Sequence, residues 1–320
     1  MAKHLILYSF MYLAVYTGCT DDLSEKEESN ILRLQAVELA DSNSTKSTVT
    51  SINEVNVYAR QKDASDVYSD YYTSADVGKV TQTRFTNETG SWMSKDGIDI
   101  KAVAAYLQAC YPAPEGSTIS YDNGILKTPV SILSKIKFND PANEQKDYLY
   151  SKEESATTSA RSITLTMYHA LAQVSFRIAK SNSVTESMTL KQIDIVSRGT
   201  RLQKGDGYMS LIDGTLMGLS ATDSLRLTGE KTLQTTQQQA DITCLVAPMS
   251  GVESSLSFSM TVNVGGEDRV FTTKSVTDVQ WKKGEHYTYH ITVNQMSGNL
   301  TDITIEKWKT DASPDTSIGI

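Results

Sequence analysis

The sequence predicts an all-β protein: two antiparallel β-sandwich domains behind a signal peptide and a flexible tether. Three observations carry this. Short runs alternate apolar and polar residues, as where Ile163, Leu165 and Met167 interleave with Thr164, Thr166 and Tyr168, which is the period of a half-buried strand. Glycine turn signals such as Asn123-Gly124 and Gly265-Gly266 separate these runs, as hairpin connections require. Ser and Thr are abundant, Tyr outnumbers Phe sixteen to six, and only six prolines occur in 320 residues. That composition suits strands with one wet face. Many short strands with little helical periodicity indicate sandwiches.

The chain opens on a leader. Lys3 precedes an apolar run over residues 5–18 that ends in Thr17-Gly18-Cys19. These are the n-region, h-region and small-residue cleavage site of a secretory signal, and the run is shorter than the ~20 residues of a bilayer span. A cysteine directly after the small pair is what lipoprotein processing uses: its thiol takes diacylglycerol and its amine becomes the new N-terminus. Residues 1–18 are therefore read as a lipoprotein signal peptide and Cys19 as the lipidated residue, with Tyr16 standing where such signals usually carry Leu. Each buried CH₂ of the lipid would contribute ~0.8 kcal/mol to anchoring. Residues 19–30 have almost nothing apolar to bury and read as a flexible tether.

A chain from Cys19 to Ile320 is long enough for two domains of ~150 residues, each with an ordinary core. The N-terminal β-sandwich domain is expected over residues 31–158. Its first strand, 31–39, places Leu32, Leu34 and Ala36 on one face. A polar loop follows from Asp41 to Ser47, then a strand near 52–59 carrying Val55 and Val57. Residues 61–79 are polar and Tyr-rich, which predicts a long loop with a weak strand inside. The alanines between Ile98 and Tyr111 suit a helix as well as a strand. A strand over 103–111 is favoured, because the run ends in Pro112-Ala113-Pro114 and lies amid strands. Residues 139–161 are polar apart from Tyr148-Leu149-Tyr150, and a boundary is placed near 158.

The C-terminal β-sandwich domain is expected over residues 159–320. Strands are predicted at 163–168, at 174–178 and at 188–195, where doubled spacing between Leu190 and Ile193 signals a twist or a bulge. Gly205-Asp206-Gly207 and Asp213-Gly214 read as turns. Further strands follow at 242–246, 256–264, 287–293 and 303–308.

The formal net charge is −8, one unit more negative once Lys3 is removed. Without clustered Lys and Arg, nucleic acid is not expected as a partner. Cys110 and Cys244 sit in apolar strand-like segments, which predicts buried free thiols rather than a disulfide framework. No Cys-x-x-Cys, His-Glu-x-x-His, Gly-x-Ser-x-Gly or Walker loop occurs. His286 and His290 are four apart, a chelating interval on a helix, but Tyr287, Tyr289 and Ile291 predict a strand. Four residues along a strand span ~13 Å, too far to share one zinc. His169 interrupts a strand-like run and is expected to hydrogen-bond locally. Nothing selects two carboxylates as a glycosidase pair. No enzyme, metal or other cofactor is predicted. Tyr68, Tyr71, Tyr72 and Trp92 could line a carbohydrate site by stacking, although tyrosines that cover sandwich edges and loops account for them more simply.

Several segments together resemble the fimbrillin family of Bacteroides-like bacteria, the lipoprotein precursors of type V pili. Ala105-Tyr106 through Tyr111-Pro112, preceded by Trp92, resembles that family's strand ending in Tyr-Pro. Asp147-Tyr148-Leu149-Tyr150, followed by the pair from Ile163 to Phe176 with its His169-Ala170-Leu171 centre, is similar to another family segment. Gly284 with Tyr287 and Tyr289, and the terminal Ile305 with Trp308, match the family's end. Thr20-Asp21-Asp22 resembles the acidic signal that sends lipoproteins of such bacteria to the outer face of the outer membrane.

The resemblance implies two transthyretin-like β-sandwich domains and a surface subunit, structural or adhesive, held to the outer membrane by its lipid or built into a fimbrium. It implies that a protease removes the first strand and that a strand of the next subunit fills the groove, a form of β-augmentation. Leu32, Leu34 and Ala36 would then be the plugs of the displaced strand, and Ile303, Ile305, Ile318 and Ile320 the donor. Family processing usually follows an Arg in the loop after the first strand; that loop holds Lys46, with Arg33 and Arg60 the nearest arginines. The partners implied are other fimbrillin subunits and a host protein or glycan. Stalk, anchor and tip roles all stay open, as does an unprocessed surface lipoprotein that binds glycans.

Overall fold

A computed structural model describes residues 30–40, 52–114, 119–122, 124–138, 145–199, 202–236, 242–249, 255–277, 279–294, 298–307 and 317–318. Cys19, Lys46, Trp308 and Ile320 lie outside them. Every regular element among the described residues is a strand.

The first sheet runs in the order β1 (Arg33–Leu39), β12 (Ser162–His169), β10 (Leu149–Ser151), β6 (Ala105–Tyr111), β2 (Glu54–Lys62), β4 (Gln82–Glu88), β5 (Ser91–Ser94). Two short strands join it, β3 (Tyr68–Asp70) on β2 and β11 (Glu154–Ala156) on β6. A small sheet packs beside it: β16 (Leu216–Met217), β15 (Leu202–Ser210), β8 (Ile125–Ile132) and β7 (Ser120–Asp122), with β17 (Ser220–Thr222) on β15.

Two further sheets face each other. One is ordered β19 (Ile242–Val246), β13 (Ala172–Lys180), β23 (Glu285–Val293), β24 (Gly298–Lys307), β25 (Ser317–Ile318). The other is ordered β21 (Glu267–Thr272), β20 (Ser255–Val264), β14 (Met188–Arg198), β18 (Ser224–Thr232), β9 (Lys135–Lys137), with β22 (Val276–Thr277) on β20.

The predicted all-β sandwich class holds, and most ladders are antiparallel. Among the described residues three are parallel: β1 with β12, β13 with β23, and β9 with β18. Pairing also crosses residue 158 in both directions. Strand β12 belongs to the first sheet, whereas β8 and β9 pair with β15 and β18.

Three apolar clusters hold these layers. The largest lies between the two facing sheets, where Phe176, Phe258 and Tyr289 converge with ring centroids 4.5–5.8 Å apart. Trp281 Nε1 donates to the Tyr289 hydroxyl at 2.9 Å, which satisfies both polar tips in a fully buried setting. A second cluster lies on one face of the first sheet, with Val55, Val57, Leu107 and Leu165. A third lies between its other face and β8–β15, with Tyr58, Cys110, Leu126 and Met209. The first sheet is therefore covered on both sides, which explains the unbroken buried runs in β2 and β6.

The doubled spacing in β14 is a bulge, a register shift between Leu190 and Gln192. Gly265 and Gly266 take φ of 60° and 101° in the β20–β21 turn, the left-handed pair such a two-residue hairpin needs. The Gly205-Asp206-Gly207 segment is not a turn but the middle of β15. A side chain at Gly207 would run into the Met217 carbonyl and Leu219, so glycine there permits close backbone approach rather than reversal. Cys110 and Cys244 are buried free thiols.

Candidate functional site

The first strand ends the sheet it belongs to, and the chain around it fills a gap. Leu32 N–H donates to the Ile98 carbonyl at 2.8 Å and Ile100 N–H to the Asn30 carbonyl at 2.7 Å. At the next residue the strand turns to β12, with Arg33 N–H donating to the Arg161 carbonyl at 2.9 Å. Residues 30–39 thus lie between the 98–100 segment on one side and β12 on the other. The slot they occupy is lined by Ile98, Ile100, Ile163, Leu165 and Met167, all buried.

Of the three expected plugs, Leu32 and Leu34 are buried at 2% and 5% exposure. Ala36 is only half-buried. A register irregularity between Leu34 and Ala36 shifts the inward face by one residue, so Val37 and Leu39 pack on the core in its place. Burying a leucine contributes ~1.5–3 kcal/mol, so the strand is held mainly by these apolar side chains. Its outward residues Arg33, Gln35 and Glu38 are exposed; charge on a sheet edge discourages unplanned pairing.

Tyr71 and Tyr72 close the floor of this core and were not expected there. Tyr71 is fully buried; its hydroxyl donates to the Val103 carbonyl at 2.8 Å and accepts the Lys101 N–H at 2.7 Å. The Tyr72 hydroxyl donates to the Asp99 carbonyl at 2.6 Å, and burial pushes its pKa up to about 12. Tyr68 is held by Glu153 at 2.8 Å, and Trp92 packs against the same core. Tyr71 and Tyr72 offer no sugar-stacking platform, because they spend face and hydroxyl on the interior.

The candidate processing residues separate clearly. Arg60 is buried, its side chain 3% exposed; Nη2 donates to Gln108 Oε1 at 2.5 Å and to Glu153 Oε2 at 3.0 Å. Its guanidinium also lies 4.0 Å from the Tyr68 ring centroid, so a protease cannot read it in the folded chain. Arg33 is exposed but lies within β1. Ile303 and Ile305 lie in β24, a ten-residue strand paired with β23, and Ile318 in β25 stands opposite Ile303.

The described histidines lie on strands. His286 and His290 occupy strand β23, with His286 Nε2 2.8 Å from Ser175 Oγ. His169 ends β12, and its Nδ1 lies 2.9 Å from Asp147 Oδ2; its partner is a buried carboxylate 22 residues earlier rather than a local group. Among the described residues no three His, Cys, Asp or Glu side chains converge as a metal site would need.

Fold and site define a layered all-β protein whose N-terminal strand closes an apolar slot. The chain belongs to the fimbrillin-like family, whose model matches residues 42–308. Solved structures share the fold at low identity. A proposed cell adhesion protein from Bacteroides ovatus aligns with a TM-score of 0.57 and 16% identity, over 88% of this chain and 98% of that one. A second, from Bacteroides uniformis, aligns with a TM-score of 0.54 and 16% identity, over 88% and 99%. A fimbrial protein from Bacteroides vulgatus aligns with a TM-score of 0.57 and 11% identity, over 87% and 99%. No curated protein matches the chain.

Proposed function

We propose that this chain is a cell-surface fimbrial subunit, structural or adhesive, made as a lipoprotein precursor and assembled by strand exchange. The observation that carries the reading is the placement of β1: a terminal edge strand whose departure would uncover the slot between Ile98–Ile100 and β12. An extended segment from a second subunit would restore the lost ladder and refill the apolar positions. Family membership, and structural neighbours described as a cell adhesion protein and a fimbrial protein, support this.

In this reading Cys19 carries the lipid and the subunit stands on the outer face of the outer membrane. Cleavage falls in the loop that holds Lys46, since Arg60 is sealed and Arg33 is tied into β1. The donor is the chain end with Ile318 and Ile320 rather than Ile303 and Ile305: releasing β25 breaks a two-residue strand, releasing β24 a ten-residue one. Deleting residues 20–46 tests the reading. The truncated protein should elute as concentration-dependent multimers, and a stable monomer with unchanged unfolding would rule strand exchange out.

A further inference from the structure

A cleft of about 880 Å³, with none of the β1-slot residues in its lining, opens between β8–β15 and one end of the first sheet. Its size falls within the ~300–1,000 Å³ of small-ligand sites. One wall presents Asp206 and Tyr208, two residues apart on the outward face of β15. The opposite wall presents Glu54 and Arg84, and Lys146 lies at the rim. We infer that this cleft binds a neutral oligosaccharide.

Three features select that class. Tyr208 keeps 44% of its surface exposed, with Lys127 Nζ 5.0 Å from its ring centroid on one side, and the ring surface left open attracts the polarised C–H bonds of a pyranose. Carboxylates accept from hydroxyls and ammonium or guanidinium groups donate to them; Glu54 and Asp206 against Arg84 and Lys146 balance in charge, which favours an uncharged ligand. Arg84 is fixed in advance, its Nη2 donating to the Pro114 carbonyl at 2.8 Å and its Nη1 3.5 Å from Glu54 Oε2. A peptide fits worse. Wall strands β2, β4 and β15 carry partners on both sides, and where β8 runs on past β7 its outer edge is taken at Ser131, whose N–H donates to the Tyr148 hydroxyl at 2.8 Å, which leaves little edge for β-augmentation. Pro129, opposite Tyr208, has no N–H to give.

This deepens the adhesive reading but does not rest on strand exchange, because binding is read on the monomer. The full chain is applied to an array of neutral, sialylated and sulfated oligosaccharides, and the best-retained neutral one is titrated calorimetrically. Tyr208→Ala and Asp206→Asn should each weaken binding at least ~10-fold, about 1.4 kcal/mol, while Tyr208→Phe stays near the parent. Should Tyr208→Ala fold poorly, Asp206→Asn and Lys146→Gln carry the test, since both residues are exposed. The proposal is overturned by retention of no neutral glycan, or by retention indifferent to all these changes. It is equally overturned by retention of anionic glycans alone that is lost in Lys146→Gln, or of peptides alone that is lost in Tyr208→Ala.

Discussion

The guanidinium of Arg60 lies 3.0 Å from Glu153 Oε2, and this pair joins β2 to the turn before β11 beneath the ring of Tyr68. Removing one partner of a buried pair typically costs 3–5 kcal/mol, and Glu153 keeps about a third of its surface wet, so Arg60→Ala should cost roughly 3 kcal/mol. A shift in the denaturant midpoint at constant slope would show it. Limited trypsin digestion of the parent should give no cut after Arg60; an early fragment beginning at Gln61 would mean that β2 opens.

Cys110 and Cys244 are wholly buried, and burial pushes both thiols up to about 12. An aromatic disulfide reagent at pH 8 should leave both untouched in the native chain and label both in guanidinium chloride. Fast labelling of either without denaturant would contradict the packing of β6 or β19.

The same burial sets a pH dependence. The folded thiols and Tyr72 hold their protons to about pH 12, whereas in the unfolded chain thiols ionise near 8.5 and tyrosines near 10. Above about pH 8 the unfolded state binds fewer protons than the folded one, so stability must fall as pH rises. Unfolding midpoints should be level near pH 7 and drop steadily between about pH 8 and 12. A midpoint that rose across that window would refute the assignment.

One hairpin carries visible strain. Thr89 takes φ of 54° and Gly90 of 89° in the two-residue turn between β4 and β5. Glycine accepts that conformation freely, but a β-branched residue does not. Thr89→Asn creates the Asn-Gly pair preferred in such turns and should stabilise the protein by about 0.5–1 kcal/mol. No gain in thermal midpoint would mean that the Thr89 hydroxyl, which donates to the Glu88 carbonyl at 2.7 Å, offsets the strain.

What could be read from the sequence follows from which strands have one wet face. Strands β12 and β20 bury every second residue, and their alternation was plain. Strands β2 and β6 are covered on both sides, so the stretch leading to Tyr111 read equally well as helix. Leu32 and Leu34 were legible as inward-facing residues. Val37 and Leu39 were not, because a bulge exchanges faces without marking composition. Tyr71 and Tyr72 read as loop residues because their hydroxyls suggest water; here backbone carbonyls take those hydrogen bonds. Nor does Gly97 advertise its role: a Cβ there would sit 2.5 Å from Ile31 Cγ2, so its absence lets the start of the first strand close against the 98–100 segment.

The slot itself can be locked. Leu34 and Ile163 are partners in the parallel β1–β12 ladder, and both are buried. Neighbouring strands lie ~4.8 Å apart, inside the ~4.4–6.8 Å between Cα atoms that a disulfide spans. A Leu34→Cys, Ile163→Cys double variant, oxidised, would keep β1 covalently in place even after the following loop is cut. Limited proteolysis should then convert the parent to multimers and leave the oxidised variant monomeric, with β1 retained by mass. Reduction should release the strand and restore assembly. The reduced variant is the internal control, because it carries the same core substitutions without the tether. If oxidised and reduced forms multimerise alike after cleavage, departure of the first strand is not the step that opens the subunit to its neighbour.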